Sequence, residues 1–189
     1  MNLPNKLTVG RFVLTAVFLV VFFARWRYAD TLALLIFIGA SLTDYWDGKI
    51  ARRDKLITNF GILMDPLADK ILVCSAFIAF VGRGLTPAWM VVIVVARELA
   101  ITGLRMLAAS KNQVLAAEGY GKHKTISQIV TIIAVLVLVS HNEWGMVGSL
   151  FSPWVPLFAK ISLWITVALT ALSGLLYLWK NREIYLNDT

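Results

Sequence analysis

Four aspartates, Asp44, Asp47, Asp65 and Asp69, fall within 26 residues of one another in a chain that is otherwise rich in apolar runs. Carboxylates beside a bilayer are costly, and by default they mark functional sites. Asp44 and Asp47 are three residues apart and Asp65 and Asp69 four apart, so on helices each pair shares one face. If two helix ends joined by a short loop meet, all four carboxylates converge on one pocket. Hard oxygen donors in that number suit Mg²⁺ or Mn²⁺ rather than Zn²⁺ or copper. A pair of such ions about 3.5–4 Å apart is a recurring device for phosphoryl transfer, because it neutralises the attacking and leaving oxygens together.

The residues between the acids fit the same chemistry. Gly48 and Ala51 fall on the carboxylate-bearing side of a helix and leave room for a ligand to approach the backbone. Arg52 is placed to make a bidentate contact to a phosphate. Gly61 makes similar room across the gap, and Pro66 is tolerable if the helix that carries it begins nearby. One isolated D-x-x-D would be read as solvated loop acids balanced by Lys49, Arg53 and Lys55; four acids in register with two small residues and an arginine are not. Asp54 stands outside the register and is read as a surface acid.

A second polar group lies further along. Arg97 and Arg105 are eight residues apart, slightly more than two helical turns, so both can face one way. Lys122, Lys124, Thr125 and Gln128 open the next apolar run on the same side. Four cations near a metal site suit an acceptor that itself carries a phosphate. Lys122 and Lys124 would also serve as simple anchors at a membrane surface. Arg97 is harder to set aside, since an unpaired charge deep in an apolar helix costs at least ~2.5 kcal/mol. Glu98, its neighbour in sequence, is poorly placed to pair with it on a helix, so a ligand or another helix should satisfy it.

These groups must be positioned by membrane-spanning helices. The chain has 189 residues, 59% of them hydrophobic, and a mean hydropathy of +0.75, well above the ~45–50% apolar share of soluble domains. Six runs approach the ~20 residues that cross a hydrocarbon core as helix: 7–25, 31–53, 62–82, 87–109, 124–140 and 158–180. They are continuous rather than alternating, and so are helices and not barrel strands. Gly82-Arg83-Gly84 before Pro87, Glu118-Gly119-Tyr120-Gly121, and Pro153 with Pro156 punctuate them. Lys6 and Arg11 ahead of Phe12–Ala24 have the charge pattern of a signal peptide, but no small-residue cleavage site follows, and a membrane span is expected there. No linker divides the chain, and a single domain over 1–189 is expected. Cys74 sits in an apolar run and offers neither a disulfide nor a cysteine metal site.

Six spans put both termini on one side. Of the 18 Lys and Arg residues, 14 fall on the face with the termini and the 2–3 and 4–5 connections; Arg25, Arg27, Arg83 and Lys160 fall on the other. The positive-inside rule makes the first face cytoplasmic, and the aspartates lie on it. The net charge of +7 is therefore read as topology and affinity for anionic membrane lipids, not as a nucleic-acid surface. Trp144 and Trp154 in the outer connection are read as interfacial rings without chemistry.

Residues 44–69 match D-x2-D-G-x2-A-R-x8-G-x3-D-x3-D at all eight fixed positions, and the segment resembles the signature of the CDP-alcohol phosphatidyltransferase family. The resemblance implies an all-α, six-helix membrane enzyme, usually a homodimer, that takes a phosphate-linked group from a CDP-activated donor and releases CMP. It further implies two ions, Mg²⁺ or Mn²⁺, held by Asp44, Asp47, Asp65 and Asp69, with Asp69 also the general base. Gly48, Arg52 and Thr58 would contact the CDP portion of the donor, while Ala51 and Gly61 leave space for the nucleotide. The segments Asn2–Thr8, Ala96–Arg105 and Gly121–Thr125 are similar to those of the branch that forms phosphatidylglycerophosphate. There the donor is CDP-diacylglycerol and the acceptor glycerol 3-phosphate, whose phosphate would meet Arg97, Arg105, Lys122 and Lys124. An inner, cytoplasmic-membrane location is implied with it.

Rival readings stay in view. Serine as acceptor carries no phosphate and does not need the cations; inositol phosphate does need them. A divalent-cation transporter is the reading from another class, but these acids lie at helix ends on one face rather than at mid-span.

Overall fold

The computed structural model describes the backbone of residues 3–24, 26–53, 59–111 and 120–186, with the side chains of all of these except 3–8, 44–53, 59–66, 69 and 120–123. The elements are α1 Leu3–Phe23, α2 Ala29–Arg53, α3 Asn59–Gly82, α4 Ala88–Ser110, α5 Tyr120–Ser140, a 3-10 turn His141–Trp144, α6 Met146–Ser149, α7 Val155–Lys180 and α8 Glu183–Leu186. No strand occurs among the described residues. The six long helices coincide with the six predicted runs to within four residues at every end.

Local chemistry accounts for most boundaries. After α3 the chain reverses through Gly84 at φ 71°, a left-handed conformation that glycine adopts without penalty. Pro87 then caps α4 in an extended conformation. In α7 a proline stands in the first turn, where its missing N–H has no helical acceptor to lose. The start of α3 differs from expectation. The helix begins at Asn59, so Pro66 lies inside it and cannot donate to the carbonyl of residue 62.

Three contacts establish an up-and-down order. Arg83, just past α3, makes a two-pronged ion pair with Asp30 at the start of α2, with Nη2 to Oδ2 at 3.1 Å, and Nη1 also donates to the Phe22 carbonyl at the end of α1. Glu143, just past α5, accepts the Asp30 and Thr31 amides at 3.1 and 2.8 Å. At the opposite end, Lys111 past α4 donates to the Ile184 carbonyl beyond α7 at 2.9 Å. α1 packs between α2 and α3, α5 between α2 and α7, and α4 against α3 and α7.

The two halves of the bundle differ in content. Toward the Asp30 end, Phe18, Phe22, Phe37, Phe77 and Phe80 are fully buried. Phe18 stacks on Phe22 with centroids 5.7 Å apart, and Phe22 meets Phe80 edge-on at 5.6 Å, pairs worth about 0.5–1.5 kcal/mol each beyond their area. Toward the Lys111 end, charged and hydroxyl side chains replace the rings.

The outer surface is apolar on every long helix. Val9, Val13, Val17 and Val20 form a stripe on α1, and Leu35 and Leu42, Leu67 and Ile78, Val92, Leu99 and Met106, Ile126 and Val130, and Leu172, Leu175 and Leu176 are exposed on the others. A water-soluble monomer rarely shows contiguous apolar surface on this scale. Among the described residues, Lys124–Trp144 and Val155–Lys180 are long and apolar enough to cross a membrane, and Val9–Phe23, Ala29–Thr43 and Lys70–Gly82 are shorter apolar helices. A membrane location follows.

Candidate active site

α2 is helical through Asp44, Asp47 and Arg53, and α3 through Asp65 and Asp69. At about 100° per residue, the two aspartates of each pair therefore lie within roughly 60° of one another about their helix axis. The connection from Arg53 to Asn59 has five residues between, which keeps those two Cα atoms within ~22 Å. The side chains of Asp44, Asp47, Ala51, Arg52, Asp65, Asp69 and Lys122, and the surroundings of Gly48 and Gly61, lie outside the described residues, as does Thr58 altogether. The helix register that the spacing argument requires is present; the convergence of the four carboxylates stays an expectation.

What the structure describes begins one residue further on. Lys70, which follows Asp69, donates to the Thr102 hydroxyl of α4, and that hydroxyl donates to the Glu98 carbonyl at 2.7 Å. Glu98 sits on the buried stripe of α4 with Val91, Val94, Ile101, Leu104 and Ala108, where the other positions are apolar. Its carboxylate forms an ion pair with Lys124 of α5 and accepts from Gln128 Nε2 and Arg97 Nη1, each at 3.4 Å. Glu98 and Lys124 are each 5% exposed.

Two expectations are sharpened by these contacts. Lys124 is a buried, ion-paired residue and not a solvated anchor. Arg97 does touch Glu98, but at 3.4 Å and through one nitrogen only, the long contact expected of sequence neighbours. Its buried Nε makes no hydrogen bond among the described residues. Arg105, two turns on, is exposed; its Nε donates to the Tyr177 hydroxyl of α7 at 3.3 Å, and its guanidinium carbon lies 5.7 Å from the Tyr177 ring centroid.

Lys70, Arg97 and Lys124 thus gather around one acid, and Arg105 lies within electrostatic reach of Lys70 and Arg97. Lysine and guanidinium side chains grouped in this way are suited to a compact anion such as a phosphate ester. Lys70, Glu98 and Tyr177 had no place in the sequence-based site. Lys70 could have been found as the residue after Asp69; no spacing rule links Glu98 to Lys124 or Arg105 to Tyr177, which come from different helices.

A helical membrane protein with paired aspartates on two successive helices and a cluster of cations beside them has the attributes of an enzyme acting on phosphate-bearing lipids. The model of the CDP-alcohol phosphatidyltransferase family matches residues 1–172, and the chain belongs to that family. A Bacillus subtilis (strain 168) protein named CDP-diacylglycerol–glycerol-3-phosphate 3-phosphatidyltransferase is 41% identical over 195 residues, covering 96% of each chain. Proteins of the same name from Rickettsia bellii (strain RML369-C), 34% identical over 93% of each chain, and Yersinia pestis (strain Pestoides F), 33% identical over 75% of this chain and 80% of its own, are also similar.

Proposed function

We propose that the protein transfers the phosphatidyl group of CDP-diacylglycerol to glycerol 3-phosphate, giving phosphatidylglycerophosphate and CMP. The observation that carries this reading is the cation cluster of Lys70, Arg97, Arg105 and Lys124, adjoining the helix segment of Asp69. The names of the relatives point to the same reaction. An acceptor without a phosphate, such as serine, leaves that cluster without a partner.

The donor set fits a divalent ion: four carboxylates and no nitrogen or sulfur ligand, on two unbroken helices. Asp44, Asp47, Asp65 and Asp69 would hold two ions, Mg²⁺ or Mn²⁺, which when bound supply charge neutralisation of the pyrophosphate and of departing CMP. Gly48, Ala51 and Gly61 leave the backbone open to the nucleotide, while Arg52 and Thr58 contact it. Arg97, Arg105, Lys122 and Lys124 take the acceptor's phosphate, with Lys70 beside them. Asp69 accepts the proton of the 1-hydroxyl of glycerol 3-phosphate as that oxygen attacks the β-phosphorus of the donor. The bond from that phosphorus to the CMP oxygen breaks, and no covalent enzyme intermediate forms.

The rest of the architecture belongs to the same proposal. All six long helices span the bilayer as one domain, because each exposes an apolar face, and the aspartate pairs and the cation cluster fall in the half away from the Asp30–Arg83 pair. That end is cytoplasmic by its lysines and arginines, so the donor enters from the inner leaflet and the acceptor from the cytosol. Family likeness supports a homodimer.

Radiolabelled glycerol 3-phosphate incubated with the purified protein, CDP-diacylglycerol and Mg²⁺ or Mn²⁺ tests this. Label is expected in a lipid-extractable phosphatidylglycerophosphate, and chelation with EDTA should abolish it. Incorporation that ignores EDTA would contradict the metal assignment; none under any metal would contradict the reaction.

A further inference from the structure

α7 contributes no motif residue, yet its buried face runs into the cation cluster. Thr166, Thr170, Gly174 and Tyr177 recur at intervals of four, four and three and are all buried, so they form one stripe along the helix. At Thr166 the stripe meets α5, through a 2.9 Å hydrogen bond with Thr131. Two turns later it meets α4. A Cβ added at Gly174 would stand 2.7 Å from Arg97 Cγ and 3.6 Å from Arg97 Cβ, so only glycine lets the arginine stem cross α7 at this point. Three residues on, Tyr177 is held by Ile101 and Leu104, and its hydroxyl accepts a 3.3 Å hydrogen bond from Arg105 Nε.

We propose that Gly174 and Tyr177 are positioning residues for the acceptor: α7 seats the stem of Arg97 and clamps Arg105, and so fixes the spacing and tilt of the two guanidinium groups that receive its phosphate. This rests on the function proposed above. A bidentate phosphate contact depends on the plane of the guanidinium as well as its charge. With Nε tied to Tyr177, both Nη groups of Arg105 remain for a ligand, and among the described residues neither makes a hydrogen bond. The buried Nε of Arg97, without a hydrogen-bond partner among the described residues, is a donor of the kind that a protein interior rarely leaves unused.

Steady-state kinetics on the purified full chain, with CDP-diacylglycerol saturating and glycerol 3-phosphate varied, separates positioning from mere structure. Tyr177→Phe keeps the ring and removes the acceptor oxygen. It should raise KM for glycerol 3-phosphate roughly three- to tenfold, with kcat and the KM for CDP-diacylglycerol within about twofold of wild type. In an Arg105→Ala background the same change should add nothing, because Tyr177 acts through Arg105. Gly174→Ala, whose methyl must displace Arg97, should raise the same KM at least as much. Since that methyl also perturbs packing, the Tyr177 and Arg105 cycle decides. An unchanged KM in Tyr177→Phe, or effects of the two changes that multiply, overturns the proposal while wild type remains active. A wild-type chain that transfers nothing to glycerol 3-phosphate overturns the functional reading, and this one with it.

Discussion

Glu98 and Lys124 meet inside the bundle, each nearly sealed from the surface, and neither is tolerable there alone. Removing one partner of a buried ion pair leaves the other's charge uncompensated, at a cost of about 3–5 kcal/mol, whereas replacing both with apolar residues is often neutral or better. Glu98→Gln, which leaves the buried Lys124 without its carboxylate, should therefore lower the melting temperature in detergent; a melting temperature equal to wild type would contradict the pairing. Asp69→Asn should lose roughly 10²- to 10⁴-fold in kcat, the range of general-base catalysis, and near wild-type turnover would remove its role as base. Arg105→Ala should raise KM for glycerol 3-phosphate, and an unchanged KM would take Arg105 out of the phosphate pocket. At this scale the two arginines and Lys124 were legible from local spacing and are found close together, while the side chains of the aspartates and Arg52 lie outside the described residues. Glu98 and Tyr177 were not legible, because each acts on a residue of another helix, and sequence spacing carries no information about which helices touch.

The long helices were legible because uninterrupted apolar runs and Gly or Pro punctuation fix both their type and most of their ends. α3 is the instructive departure. Pro66 suggested a helix start close to it, but the helix begins at Asn59 and accepts the missing hydrogen bond, since a proline two turns in costs one backbone bond and the rest of the helix is strongly apolar. The connection after α5 is the other. Trp154 is half-exposed, as an interfacial ring should be, but Trp144 is packed against the core and donates from Nε1 to the Thr31 hydroxyl at 2.8 Å. Beside it, Glu143 closes the N-terminus of α2 by accepting two backbone amides and the Thr31 hydroxyl. A carboxylate at the positive end of a helix dipole that also satisfies two unpaired N–H groups is a long-range cap from 112 residues away. Glu143→Ala should cost about 1–3 kcal/mol and appear as a lower melting temperature with KM values unaltered; a melting curve identical to wild type would deny the cap any energetic weight.

Across the whole molecule, chemistry and packing are sorted by depth. The phenylalanine cluster, the Asp30–Arg83 pair and the Glu143 cap fix the end away from the site, leaving the Lys111 end to carry charge. Helices in lipid gain little from leaving water and depend on packing and interhelical hydrogen bonds, which suits a rigid aromatic half supporting a polar half. The apolar surface common to α1–α5 and α7 belongs in acyl chains, so the protein should stay with the membrane pellet through an alkaline carbonate wash, and release into the supernatant would contradict a spanning bundle. The central claim is that the aspartate pairs define the reaction while the cation cluster of α3, α4 and α5 selects a phosphorylated acceptor. CMP release by the purified protein, with CDP-diacylglycerol and Mg²⁺ or Mn²⁺ and one candidate acceptor at a time, tests it most directly. Glycerol 3-phosphate should support release while unphosphorylated glycerol and serine do not; release driven equally by serine or by glycerol would contradict that claim.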